Sequence, residues 1–141
     1  MWNHLKGWNR CDDCWLAYER GIQHPNSLSC YKVGIPISSL NVPVSTFIEE
    51  IKKRDYVAKY GFFPFPVNLV SKGVIILYFT NREDMLKSIE DLKKFVKEPN
   101  NREKFFFNNF VNVEWIEGFN YRRGCPEYDK KFGDWRRWSS E

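Results

Sequence analysis

Val74-Ile-Ile-Leu-Tyr-Phe79 runs straight into Thr80-Asn-Arg-Glu83, after which Met85, Leu86, Ile89, Leu92, Phe95 and Val96 recur at helical spacing. The first segment is continuously apolar and six residues long, which is the length and texture of a strand covered on both faces. Thr80 and Glu83 stand in the S/T-x-x-E relation, in which two side chains satisfy each other's backbone N–H groups at a helix start. The apolar stripe that follows has charged residues on its other side, so it predicts an amphipathic helix, closed by Pro99-Asn-Asn. A strand feeding a helix of this kind needs a sheet for the helix to pack on.

Working outward, Ser71-Lys72-Gly73 supplies turn chemistry, and Val67 to Val70 before it reads as a short strand. Together with Val74 to Phe79 it would make a hairpin. Phe62-Phe-Pro-Phe-Pro excludes helix, because proline fixes φ and removes a donor. Upstream, Thr46 and Glu49 form another capping pair, and Phe47, Ile48, Ile51 and Tyr56 give an apolar stripe that predicts a helix stopping at Gly61. Ser29 to Ile37 is rich in β-formers, with Pro36 marking its end or an edge position. Val111, Val113 and Trp115 alternate with Asn112 and Glu114, the period of a half-buried strand, and Gly118 follows.

The predicted order is β-α-β-β-α-β. Right-handed crossovers turn that order into an α+β fold, a four-stranded antiparallel sheet with two helices on one face, the split or ferredoxin-like arrangement. The 141 residues fit one domain and are 43% hydrophobic and 18% aromatic, ample for a core. Within it, 1–30 is a Cys/His/Trp-rich segment, 31–118 the α+β body, and 119–141 an aromatic-basic tail without clear period.

Composition narrows the function classes. No apolar run approaches the roughly 20 residues a membrane span needs, and Met1-Trp-Asn-His-Leu-Lys-Gly7 has no secretory leader character, so the expectation is an intracellular, cytoplasmic protein with no membrane contact. The net charge of +4, from 22 basic and 18 acidic residues, permits nucleic-acid binding without demanding it. No P-loop, dinucleotide-binding glycine pattern, G-x-S-x-G or H-E-x-x-H motif is present. His4 and His24 are the only histidines. That leaves a metal-dependent nuclease built on scattered carboxylates as the one enzymatic reading, and no small-molecule substrate is evident.

Cys11-Asp-Asp-Cys14, His24 and Cys30 place four borderline or soft ligands within 20 residues. A Cys-x2-Cys turn can present two thiolates to one ion, so Cys11, Cys14, His24 and Cys30 are candidate ligands for a tetrahedral structural zinc. His4 and Cys125 are substitutes if the tail folds back. The alternatives are reduced cysteines packed as small hydrophobes and a redox pair, which Asp12 and Asp13 disfavour by raising thiol pKa values.

Lys72-Gly-Val-Ile-Ile-Leu-Tyr-Phe79 resembles the octamer signature of RNA-recognition motifs: Lys72, Gly73 and Phe79 fit, while Val74 and Ile76 stand where that family carries stacking aromatics. The resemblance implies an RNA-facing sheet with Tyr31 as a stacking residue and Lys72 beside it. The competing reading is a plain buried strand. In that case an apolar second sheet face has to be covered by the N-terminal segment, the tail or a partner.

In the tail, Tyr121-Arg-Arg123, Tyr128, Lys130-Lys-Phe132 and Trp135-Arg-Arg-Trp138 interleave rings with cations. Arg122, Arg123, Lys130, Lys131, Arg136 and Arg137 are candidate phosphate contacts, and Trp135 and Trp138 candidate stacking residues. The sequence thus points to a zinc-stabilised binding protein that contacts RNA or single strands. A protein-interaction module, such as an inhibitor or assembly subunit, uses the same aromatic surfaces equally well.

Overall fold

A computed structural model describes residues 2–7 and 10–138. The strand read first is there as β4 (Gly73–Phe79), and its neighbour on one side is β2 (Tyr31–Pro36). On the other side lies β3 (Val57–Phe62). β1 (Asn3–Lys6) adds to β3, β6 (Phe119–Arg123) adds to β2, and β5 (Glu114–Ile116) completes the edge. The result is a six-stranded antiparallel sheet of order β1-β3-β4-β2-β6-β5.

Among the described residues six α-helices accompany it: α1 (Arg10–Glu19), α2 (Pro25–Leu28), α3 (Val44–Lys53), α4 (Arg82–Leu92), α5 (Asn101–Phe110) and α6 (Pro126–Phe132). The expected four-stranded, two-helix ferredoxin-like fold is therefore overturned. The segments read as an N-terminal appendage and a tail each contribute a strand and at least one helix.

Each misreading has a local cause. The predicted helix to Gly61 stops at Lys53, because Asp55 takes a left-handed φ of 57° and its N–H caps Lys52 O at 3.1 Å. Asp tolerates that conformation where most residues do not. Beyond it the chain extends, and Val57–Phe62, not Val67–Val70, is the strand that pairs with β4. Residues Val67–Leu69 instead form a 3-10 turn, closed by Asn68 N–H to Pro64 O at 3.1 Å and Leu69 N–H to Pro66 O at 3.0 Å. Neither Thr46 nor Thr80 acts as a cap. Pro43 precedes α3, and Asn81 caps α4 by accepting from Asp84 N–H at 2.8 Å.

β6 exists because Glu117 and Gly118, at φ 50° and 88°, form a two-residue reversal between Ile116 and Phe119. Two positive φ values in a two-residue loop are the signature of a type I′ hairpin, whose twist matches its strands.

The sheet is covered on both faces. Val33 and Ile35 of β2, Ile75 and Leu77 of β4 and Phe119 of β6 point to one side, where Phe47 and Ile51 of α3 and Met85, Ile89 and Leu92 of α4 meet them. On the other side Val74 joins Phe107 of α5 and Val113, with Phe63, Ile76 and Trp115 packed against them. Among the described residues no helix is long and apolar enough to cross a membrane.

Candidate functional site: a cationic, ring-lined cavity

The second face of the sheet is only partly filled. Beside the α5 contact lies a cavity of about 620 Å³, within the range of small-molecule sites. Strand alternation dictates its floor. Lys32 and Gly34 come from β2, Lys59 from β3, Ile76 and Tyr78 from β4, and Asn120 from β6. These are the residues between the core-facing ones. Cys11 and Trp15 of α1, Phe107 of α5 and Cys125 wall it, and Trp2 stands at the β1 side.

Two cations share this floor. Lys32 Nζ donates to Cys125 Sγ at 3.1 Å and sits 5.6 Å from the Tyr78 ring centroid. Lys59 Nζ lies 4.3 Å from the Trp2 ring and 5.8 Å from Tyr78. Asp12 and Glu127 also line the cavity, yet among the described residues no carboxylate forms an ion pair with Lys32 or Lys59. Burial depresses the Lys59 pKa and the Lys32 charge depresses it further. For Lys32, burial pulls down, but Cys125, Cys30 and Tyr78 outweigh it and hold the ammonium above the usual lysine range. Burial raises the Tyr78 hydroxyl above its ordinary range. Two cations without carboxylate partners in a partly desolvated pocket attract an anion.

Asn120 is the second feature. It is 5% exposed, and among the described residues its Nδ2 has no hydrogen-bond partner. Buried amides are ordinarily satisfied, so one left open has a cost of about 1–3 kcal/mol. Gly34, paired with it across the strands, makes the placement sterically feasible: a Cβ at Gly34 would lie 2.2 Å from Asn120 Oδ1. Arg122 also borders the cavity, but its donors are engaged. At 2% exposed, it donates to the carbonyls of Gly124 and Val111 and to Asp129 Oδ1 at 2.6 Å.

The residues expected from sequence are mostly elsewhere. Cys11, Cys14, Cys30 and Cys125 are all free thiols, with Cys14 and Cys30 buried. Burial pushes Cys30 up to about 11 and raises Cys14 as well. His24 Nδ1 accepts from Asn26 N–H at 3.0 Å and so caps α2. Among the described residues no group of three or more His, Cys, Asp and Glu side chains is disposed to hold a metal ion.

Tyr31 faces the helix-covered side, 7% exposed, with the Arg123 guanidinium over its ring at 5.4 Å. Lys72 is exposed just before β4, and its carbonyl accepts from Phe63 N–H.

The tail is a strap. Trp135 is 9% exposed, with its indole N–H on Asn112 O at 2.7 Å. Arg123 donates to the carbonyls of Leu28 and Trp138, and Lys131 to Tyr18 O at 2.7 Å. Arg136 pairs with Glu114 and with Asp134 at 2.9 Å, and Lys130 with Glu127 at 3.5 Å. Arg137 lies 5.7 Å from the ring of Trp138, which is 39% exposed.

Lys32, Lys59, Tyr78 and Asn120 were not singled out from sequence. Their common signal is a polar group at the strand position alternating with a core residue, on a face that must nonetheless be covered. No protein family matches the chain, and neither a curated protein nor a solved structure matches it.

Proposed function

We propose that this is a binding protein that takes an unpaired nucleotide into the cavity. Its phosphate is drawn to Lys32 and Lys59, its base lies among Trp2, Tyr78 and Trp15, and its edge accepts a hydrogen bond from Asn120. The observation that carries this reading is the coincidence, in one ring-lined cavity, of two cations and a buried amide donor that, among the described residues, have no carboxylate partner and no acceptor respectively. Rings stack on any base, and lysines that neutralise phosphate release its counterions, which makes the affinity fall with salt. The contact surface is thus moved from the tail, where Arg122, Arg123, Lys131, Arg136 and Trp135 are engaged with the rest of the fold, to the second face of the sheet.

The test is a fluorescence titration of the full chain with adenosine 5′-monophosphate, adenosine and a short oligoadenylate. The reading expects the monophosphate to bind at least about tenfold tighter than the nucleoside, with affinity falling as salt rises. Tighter binding of the oligomer than of the monophosphate identifies a strand as the source of the nucleotide. Equal binding of nucleoside and monophosphate, or none of either, defeats the reading.

A protein partner has its own specific support. Phe62 at the end of β3 and Phe65 and Leu69 just after it are exposed, as are Phe105 and Phe110 on α5, and the two segments meet at Phe63 and Phe106, whose ring centroids are 5.9 Å apart. Exposed aromatic clusters of this kind mark interaction surfaces.

A further inference from the structure

The same cavity holds two of the four thiols in contrasting surroundings. Cys11 and Cys125 both line it and are half-buried, whereas Cys14 and Cys30 are closed off. Lys32 Nζ donates to Cys125 Sγ at 3.1 Å, and among the described residues no side-chain donor reaches Cys11 Sγ. A hydrogen bond from an ammonium stabilises negative charge on sulfur, and the thiolate, not the thiol, is the attacking species. Around Cys125 the floor offers a second cation, Lys59, and the open Asn120 amide, 95% buried and lining the same space. An incoming molecule with acceptor oxygens and negative charge fits those groups.

We propose that Cys125 is an S-thiolation site. It exchanges with a low-molecular-weight disulfide that bears carboxylates, and the adduct it retains occupies the nucleotide cavity. In the step, the Cys125 thiolate attacks one sulfur of the disulfide. The new bond between Cys125 and that sulfur forms as the incoming S–S bond breaks. The departing thiolate leaves with the electron pair and takes up the proton Cys125 had released. The disulfide is the oxidant, and one of its halves leaves reduced. The preference for carboxylates rests on reading Lys32 and Lys59 as an anion seat. The reactivity of the thiol rests on the Lys32–Cys125 contact alone.

The experiment uses the full reduced chain with oxidised glutathione, which carries carboxylates, and with cystamine, which carries amines. Quenched time points are analysed by peptide mass spectrometry at Cys125 and Cys11. With oxidised glutathione, Cys125 reacts about tenfold faster than Cys11, and the glutathione-to-cystamine rate ratio is higher at Cys125 than at Cys11. Lys32→Met brings Cys125 to the Cys11 rate. Lys59→Met lowers the glutathione-to-cystamine ratio at Cys125, because it removes attraction for the carboxylates and repulsion of the amines. Equal rates at the two thiols of the unmutated chain overturn the proposal without reference to any variant. An unchanged ratio in Lys59→Met overturns the carboxylate preference while the site stands. Nucleotide binding is read separately, by whether the glutathionylated chain still takes the monophosphate: retained affinity overturns the cavity-filling adduct.

Discussion

Replacing Asn120 by alanine should leave the protein as stable as before, or more so, while removing the ligand. A buried asparagine normally completes hydrogen bonds, and its loss strands their partners at about 1–3 kcal/mol. Here no partner is stranded, because among the described residues Nδ2 has no hydrogen-bond partner and the residue is only 5% exposed. The unpaired amide itself costs about 1–3 kcal/mol. The truncation also opens into a space of about 620 Å³ already present, so it creates little new void and a small cavity penalty. The two effects sum to a change between roughly zero and about 2 kcal/mol in favour of Asn120→Ala. Urea unfolding followed by far-UV circular dichroism reads this directly, with an unchanged slope showing that only stability moved. In the same variant, adenosine 5′-monophosphate should bind about tenfold more weakly, the equivalent of one hydrogen bond of about 1.4 kcal/mol. A loss of more than about 1 kcal/mol of stability would mean that the fold itself uses the amide, and would refute the argument that it is kept for a ligand.

Gly34→Ala puts a Cβ 2.2 Å from Asn120 Oδ1 and should cost about 1–3 kcal/mol as an overpacking. Combining it with Asn120→Ala should recover most of that loss, and additive costs in thermal or urea unfolding would show that the two residues do not compete for space. Arg122→Ala leaves Asp129 without its guanidinium and should cost about 3–5 kcal/mol, against about 0–1 for the half-exposed Arg136→Ala; equal losses would contradict the strap. Hydrogen bonds from Arg54 hold Glu50 and Asp91 below the ordinary carboxylate range. A depressed carboxylate contributes stability that is present above its unfolded pKa of about 4 and is lost as pH falls. The stability gap between the parent and Arg54→Met should therefore close as pH drops from about 5 to below 3, and a gap that widens with acid would be the wrong sign.

The elements that sequence reading identified are those whose pattern is self-contained. β4 and α4 carry their own apolar run, stripe and polar start, and both are present, with the cap moved one residue from Thr80 to Asn81. β2 was legible from its β-formers. Other elements depend on signals that look like something else. Val57-Ala-Lys-Tyr-Gly61 follows a helical stripe, and only the left-handed Asp55 separates the two. Asn100 and Glu103 mark the start of α5, yet Phe105-Phe-Phe107 hides its period, since adjacent rings fit helix and strand alike. β6 was concealed by the charge of Arg122 and Arg123, which invited a functional reading although both guanidiniums serve the fold. The cavity was the least legible part. Lys32, Lys59 and Asn120 are far apart in sequence, and only sheet registers joining β3 to β4, β4 to β2 and β2 to β6 put them on one floor.

The measurement closest to the central claim is an NMR titration of the isotopically labelled protein with adenosine 5′-monophosphate, followed at the backbone amides and at the side-chain amide of Asn120. Saturable shifts confined to Lys32, Gly34, Lys59, Tyr78 and Asn120 are expected if the nucleotide enters the cavity. Shifts gathered instead on Trp135 to Trp138 or on Phe105 and Phe110, or a spectrum that does not move, would contradict it.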